Sequence, residues 1–380
     1  MLVEQWNGEI APGLDRASLV AAARAVRAIS SPKPVTIALI PAHNEEEQIE
    51  AAIDSLRAQT EPPDLIVVCA DNCSDGTAAV AEAAGTLVFE TVANRHKKAG
   101  ALNQALDALL PELDGSDSVL VMDADSVLVP TFVAAARARL GARIGGVGGV
   151  FTGRSGGGFV GMLQRNEYAR YARDVARLKG KVLVLTGTAT VFSAGTLRAV
   201  AAARAEGVIP GGTNQVYDTK VLTEDNELTL ALMHLGYGVI SPRECRLTTE
   251  VMETWGDLYR QRLRWKRGAL ENLRDYGLTR TTLPYWFRQL FTLLGIVATA
   301  AYLGSLALSL AMAGSVHVHP VWLAVTAIFV VERIVTVRSR GPVQMLLAAV
   351  LVVEMTFDVF LQVVHARAIW DTLTHKERSW

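Results

Sequence analysis

The sequence predicts an α/β domain with a mainly parallel sheet, followed by apolar helices of membrane-spanning character. Three observations lead there. Before residue 255, short apolar runs alternate with stretches of helical periodicity across short connections, the pattern of strand–helix units. Several of those runs end in carboxylates, and in such sheets ligands gather beyond the carboxyl ends of the strands. Further on, Leu290 to Ala313 offers about 24 residues without a charge, enough to cross a bilayer.

The elements follow in order. Leu14 to Ile29 reads as an amphipathic helix with Leu19, Ala22, Ala23, Val26 and Ile29 on one face, expected to pack on the domain. Val35 to Ile40 is a buried strand. Asn44 with Glu47 resembles a capping box opening a helix that carries Ile49, Ile53 and Leu56. Leu65 to Ala70 is a second strand, ending at Asp71 before the turn Ser74–Asp75–Gly76, and Thr86 to Glu90 is a third. Ala101, Leu102, Ala105, Leu106 and Leu109 form a helical stripe, and Val119 to Met122 is the next strand. The expected division is an amphipathic segment over 1–33, a catalytic α/β domain over 34–254, interfacial helices over 255–286, hydrophobic helices over 287–366 and a polar tail.

Composition narrows the function classes. The 380 residues are 50% hydrophobic with a formal net charge of −1, so no electrostatic argument favours a nucleic-acid partner. Cys69, Cys73 and Cys245 make no zinc pattern and read as reduced thiols, and the first ten residues carry no signal-peptide pattern. No Walker A sequence occurs, and the glycines from Gly141 to Gly161 lack the dinucleotide-binding order, which weighs against kinases and Rossmann dehydrogenases.

Chemistry concentrates in a few stretches. In SVLVMDADS the apolar run stops at Asp123 and Asp125, two hard oxygen ligands one residue apart that can share a divalent cation. In NRHKKAGALN, Lys97 and Lys98 precede a helix and suit phosphates. Glu224 and Asp225 open the helix bearing Leu228, Leu232 and Leu235, where the helix dipole favours a charged carboxylate fit to act as a base. WGDLYRQRLRWKRG, Trp255 to Gly268, interleaves arginines with aromatic residues.

Taken together, PAHNEE (41–46), DNCSDGT (71–77), KAGALN (98–103), DAD (123–125), TED (223–225) and QRLRW (261–265) resemble family 2 glycosyltransferases. The closer likeness is to the processive membrane branch of cellulose, chitin and hyaluronan synthases. The resemblance spans roughly residues 34 to 268 and implies a GT-A fold with inverting transfer from a UDP-sugar, glucose or N-acetylglucosamine being expected. It implies that Asp71 contacts the uracil, that Pro41, Ala42 and Glu45 line the nucleotide pocket, and that Asp123 and Asp125 hold Mg²⁺ or Mn²⁺ on the diphosphate. Asp225, beside Glu224, would be the general base. Gln261, Arg262, Arg264 and Trp265 would close over the site, arginine on the diphosphate and the indole on the acceptor sugar. Lys98 and Thr186–Gly187–Thr188 would border donor and acceptor.

The expected partners are a UDP-sugar, a saccharide, lipid or protein acceptor, and the cytoplasmic membrane with the catalytic domain on the cytosolic side. Arg338 and Arg340 after the second apolar segment, against none in GSVHVH, support that orientation. The second segment, Val321 to Val337, includes Glu332 and Arg333, and the third, Val343 to Val364, carries Glu354 and Asp358, so its fate is open between a span and a buried helix. No apolar span precedes the catalytic stretch and the apolar tail is short, so a polysaccharide channel would require several chains to assemble, as a homo-oligomer. Non-processive transfer and a nucleotidyltransferase are the alternatives.

Overall fold

The computed structural model describes residues 14–313 and 320–376 and divides into two compact units, Met1–Thr152 with Val175–Glu250 and Gly153–Asp174 with Val251–Trp380. The first unit holds a sheet whose strands are β1 (Thr36–Ala42), β2 (Leu65–Ala70), β3 (Leu87–Glu90), β4 (Ser118–Met122), β6 (Ile144–Gly148), β8 (Ala189–Ser193) and β9 (Gly238–Ile240), in the order β3-β2-β1-β4-β8-β6-β9. Strands β3, β2, β1 and β4 run parallel, while β8 is antiparallel to both β4 and β6. A small second sheet pairs β5 (Val127–Leu128), β10 (Arg246–Thr249) and β7 (Val150–Gly153).

The parallel strands are apolar because helices cover them. These helices are α1 (Arg16–Ser30), α2 (Ile49–Arg57), α3 (Thr77–Ala83), α4 (Lys97–Leu109), α5 (Phe132–Arg137), α7 (Ala194–Ala205) and α8 (Glu224–His234). Ile40, Ile53, Leu56, Val68, Leu120, Met122, Phe132 and Val191 meet in one core cluster. Each buried aliphatic side chain of this kind stabilises by about 1.5–3 kcal/mol.

Two local expectations change. Asn44 does not cap α2, whose N-cap is Gln48; Asn44 adopts φ +58 and its Oδ1 accepts the Ser74 N–H at 2.8 Å, so the polar residue ties two loops together. In α1, capped by Asp15 accepting the Ser18 N–H at 2.8 Å, Leu19, Ala22, Ala23 and Val26 are buried, but Ile29 is 63% exposed in the last turn. This helix packs beside α4, and Arg24 forks onto Glu112 at 2.6 and 2.9 Å.

A buried ion pair anchors α8. The Arg204 guanidinium, fully buried, donates to both oxygens of Glu227 and to the carbonyls of Pro210 and Val216. Glu227 stands two residues from Asp225, so the pair fixes the turn that presents that carboxylate.

The second unit contains α6 (Gly158–Arg177, its last residues belonging to the first unit), α9 (Trp255–Tyr276), α10 (Leu283–Ala313), α11 (Pro320–Val337), α12 (Pro342–Ala349) and α13 (Leu351–Leu373). Residues 153–174 thus separate from the expected 34–254 domain and join the C-terminal helices. The apolar stretch of helix α10 is exposed and, among the described residues, α10 is the one unbroken helix long and apolar enough to cross a membrane. The third apolar segment is not one helix: α12 and α13 meet at Val350 with a bend of 77°.

Removing one partner of a buried pair leaves an uncompensated charge. Glu227→Gln is therefore expected to destabilise the chain by about 3–5 kcal/mol, read as a lower urea midpoint of the detergent-solubilised protein. Exposed Glu47→Gln, the comparison variant, should leave the midpoint unchanged.

Candidate active site

The acidic residues lie where their strands end. After β2, Asp71 is buried, its N–H donating to the Ala42 carbonyl at 2.9 Å. Its Oδ1 accepts from Asn72 Nδ2 at 2.9 Å, Thr91 Oγ1 at 2.7 Å and Asn94 Nδ2 at 2.8 Å. Three donors on one oxygen fix the carboxylate's orientation. Thr91 and Asn94 carried no separate signal in the sequence. The glycine of KAGALN is explained by Asn94, because a Cβ on Gly100 would collide with the Asn94 side chain.

Residues 41–46 are laced to the loop after β2. The Glu45 N–H donates to Thr77 Oγ1 at 2.7 Å, and Glu46 accepts the Gly76 N–H at 2.7 Å. Ala42 is buried and Pro41 half-buried at the end of β1. Glu45 has its carboxyl pushed up to about 7, first by burial and then by the negative charges of Asp125, Glu250 and Asp123.

Beyond β4, Asp123 donates its N–H to the Thr188 carbonyl at 3.1 Å and its carboxylate receives the Lys98 ammonium. Lys98 also donates to the Gly187 carbonyl at 3.2 Å and stands 3.5 Å from Glu224. Burial opposes the charge on this lysine, but Asp123 and Glu224 outweigh it and hold its pKa above the usual value. The lysine expected beside donor phosphates is thus a bridge among carboxylates in this structure. Asp125 takes hydrogen bonds from Ser126 Oγ at 3.0 Å and from Thr249 Oγ1 at 3.2 Å.

Asp225 completes the group. Its Oδ2 accepts the Gly187 N–H at 2.9 Å and its Oδ1 the Asn226 N–H at 2.7 Å. A Cβ on Gly187 would come within 3.0 Å of Lys98 Nζ and 3.4 Å of Asp225 Oδ2, so the glycine permits the close approach of carboxylate, lysine and backbone. Thr186 and Thr188 hydrogen-bond through their hydroxyls at 2.8 Å on either side. Lys98, Thr186, Gly187, Tyr217, Glu224 and Asp225 share the wall of a small cavity, and Tyr217 was not singled out by the sequence.

The helix N-terminus was expected to keep Asp225 charged. Instead burial first, then Glu224, push its carboxyl up to about 6, with Lys98 and the two N–H groups opposing. It is still ionised at neutral pH, as a base must be. Asp123 is likewise pushed up to about 6, by burial against the pull of Lys98.

The donor set fits a hard divalent cation. Asp123 and Asp125 supply carboxylate oxygens, and the mutual charge that lifts Glu45 marks a local excess of negative charge that a cation would relieve. No cluster of three or more acidic, histidine or cysteine ligands occurs among the described residues. Such a pair matches a metal that completes its shell from phosphate oxygens and water.

The QRLRW residues sit on α9 in the second unit. Arg262 is buried, donates from Nη2 to Glu167 at 2.7 Å and from Nη1 to Gln261 Oε1 at 2.6 Å, and lies 4.4 Å from the Trp265 ring centroid. Its charge is matched by Glu167, and its guanidinium lies over the Trp265 ring. Arg264 and Trp265 are exposed.

A family model described as "Glycosyltransferase like family 2" matches residues 32–268, and the chain belongs to that family. The chain is 26% identical over 281 residues to the poly-beta-1,6-N-acetyl-D-glucosamine synthase of Staphylococcus aureus (strain COL), covering 70% of this chain and 63% of the relative. The Staphylococcus epidermidis synthase is 26% identical over 252 residues, 63% of this chain and 56% of its own. The chain therefore spans less than two thirds of the length of these curated relatives. Among solved structures, the mannosyltransferase PcManGT from Pyrobaculum calidifontis, in complex with GDP-Man and Mn²⁺, superposes with a TM-score of 0.58 at 17% identity, over 95% of this chain and 99% of that one. The fold is GT-A.

Two outcomes follow from the geometry. With Asp225 as base, turnover should rise as pH passes about 6 and level off above it; because Glu224 raises that value, Glu224→Gln should move the acidic limb to lower pH in the pH–rate profile. Gly187→Ala should cut kcat by about 10²-fold with an unchanged circular dichroism spectrum, since displacing a reacting group by about 1 Å costs that much.

Proposed function

We propose that this glycosyltransferase is an inverting hexosyltransferase that moves a sugar from a UDP-sugar to an acceptor hydroxyl, in processive synthesis of a polysaccharide. The observation that carries the reading is the gathering of Asp225, Lys98 and Asp123 around the Gly187 backbone. An acceptor hydroxyl placed at Asp225 would lose its proton to that carboxylate as its oxygen attacks the anomeric carbon. The bond from that carbon to the diphosphate breaks on the opposite face, and UDP departs.

Asp71 would read a uracil N–H through its free-facing carboxylate oxygen, with Pro41, Ala42 and Glu45 lining the nucleotide; the three donors that orient Oδ1 support that reading. Asp123 and Asp125 would hold Mg²⁺ or Mn²⁺, which when bound offsets the charge that builds on the leaving diphosphate. With Asp123 given to a cation, Lys98 would keep Glu224 and the Gly187 carbonyl as partners. The similarity to poly-beta-1,6-N-acetyl-D-glucosamine synthases supports N-acetylglucosamine as the first sugar to try and a saccharide as acceptor. The roles of Gln261, Arg264 and Trp265 toward donor and acceptor rest on the motif alone. The exposed apolar helix α10 supports a place in the membrane, and Arg338 and Arg340 support catalysis on the cytosolic side.

The test is nucleotide release by the purified full chain over a panel of UDP-sugars and GDP-mannose, with Mn²⁺, Mg²⁺ or EDTA. Turnover of a UDP-sugar that needs metal is expected, reduced by about 10²–10⁴-fold in Asp225→Asn and lost in Asp125→Asn. Product length then separates processive from single addition. Turnover indifferent to EDTA, or to Asp225→Asn, would overturn the assignment.

A further inference from the structure

We propose that Tyr217 is a positioning residue for Asp225, its phenol anchoring one buried water that bridges to the Asp225 and Glu224 carboxylates. The proposal rests on reading Asp225 as the base.

Three observations carry it. First, the phenol is held in place through its backbone. Asn103 on α4 donates from Nδ2 to the Tyr217 carbonyl at 2.9 Å and accepts the Tyr217 N–H on Oδ1 at 2.9 Å. One residue earlier, the Val216 carbonyl accepts from the buried Arg204 guanidinium at 3.2 Å. Tyr217 is thereby tied to the helix that carries Lys98 and to the arginine that holds α8, the helix of Asp225.

Second, Tyr217 is 4% exposed, yet its hydroxyl has no hydrogen-bond partner among the described residues. A buried phenol ordinarily finds one. The side chain lines the cavity walled by Lys98, Thr186, Gly187, Glu224 and Asp225, and it feels the charges of Lys98, Glu224, Asp225 and Asp123. Burial, with the three carboxylates adding to it against Lys98, pushes the phenol above its ordinary value. It therefore keeps its proton and stays a donor throughout the neutral range.

Third, the cavity decides the size of the occupant. Its volume is about 20 Å³, against about 300–1,000 Å³ for a ligand pocket and about 10–15 Å³ for a single water. A sugar is excluded and one water fits. The hydrogen-bond inventory then sets how that water is held. The three protons of Lys98 are directed to Asp123, Glu224 and the Gly187 carbonyl. The Thr190 hydroxyl donates to the Thr186 carbonyl at 3.0 Å, and the Thr186 hydroxyl is engaged with Thr188. Each Asp225 oxygen takes one N–H and has a lone pair left. The water accepts from the phenol and donates to Asp225 and Glu224, about three hydrogen bonds, the usual complement of a buried water. A donor reaching Asp225 in this way favours the ionised carboxylate and fixes its orientation.

High-resolution density of the full chain, with pH–rate profiles of the parent and Tyr217→Phe, tests this. One water within hydrogen-bond distance of the phenol and the Asp225 carboxylate is expected in the parent, and none at that position in Tyr217→Phe. Losing a hydrogen bond to the ionised form raises the carboxyl, so the acidic limb should move up by about 0.4–1 pH unit. That is the direction opposite to Glu224→Gln. A phenol that only fills space would lower the plateau and leave the limb in place. A limb at the same pH in both proteins, or parent density without the water, overturns the proposal. A parent profile with no acidic limb near 6 would remove Asp225 as the base and the proposal with it, a failure told apart because Asp225→Asn would then retain turnover.

Discussion

One constraint governs the first unit: several carboxylates must share a small region where strands β1, β2 and β4 end, and a single lysine sits among them. Without Lys98, Asp123, Glu224 and Asp225 would repel one another in a region of low water content. The surrounding architecture serves that balance. Gly187 lets the Asp225 carboxylate and the Lys98 ammonium meet the same peptide unit, Asn94 and Gly100 fix the start of α4 that carries the lysine, and Arg204 with Glu227 fixes α8. An excess of negative charge remains and is felt at Glu45, whose carboxyl is pushed up by burial and by Asp125, Glu250 and Asp123.

The same economy explains the raised carboxyl of Asp225. A carboxylate buried beside a like charge is a stronger proton acceptor than an exposed aspartate, and at about 6 it is still ionised at neutral pH. Such a group destabilises the folded chain as it ionises: its folded pKa lies above the unfolded value, so its stabilising contribution is present at low pH and lost as pH rises through about 6. Stability given up at this position is consistent with a site organised for chemistry.

The strands were legible because parallel strands covered on both faces leave uninterrupted apolar runs, and Leu65–Ala70 agrees with the sequence reading residue for residue. The acidic positions were legible because a carboxylate following such a run has left the core. Other features depend on contacts distant in sequence. Thr249 on Asp125 and Asn94 on Asp71 carry no local signature, and neither does the pairing of Arg262 with Glu167 on another helix. The broken third apolar segment was hidden for the same reason, since Glu354 finds its partners on α6 and α11.

The most direct test of the central claim, that the carboxylates beyond β4 and β2 form a metal-dependent nucleotide-diphosphate site, is calorimetric titration of UDP into the full chain with Mn²⁺ or with EDTA. Binding that requires Mn²⁺ and disappears in Asp125→Asn is the predicted result. UDP binding of equal strength in EDTA, or undiminished in Asp125→Asn, would contradict the account.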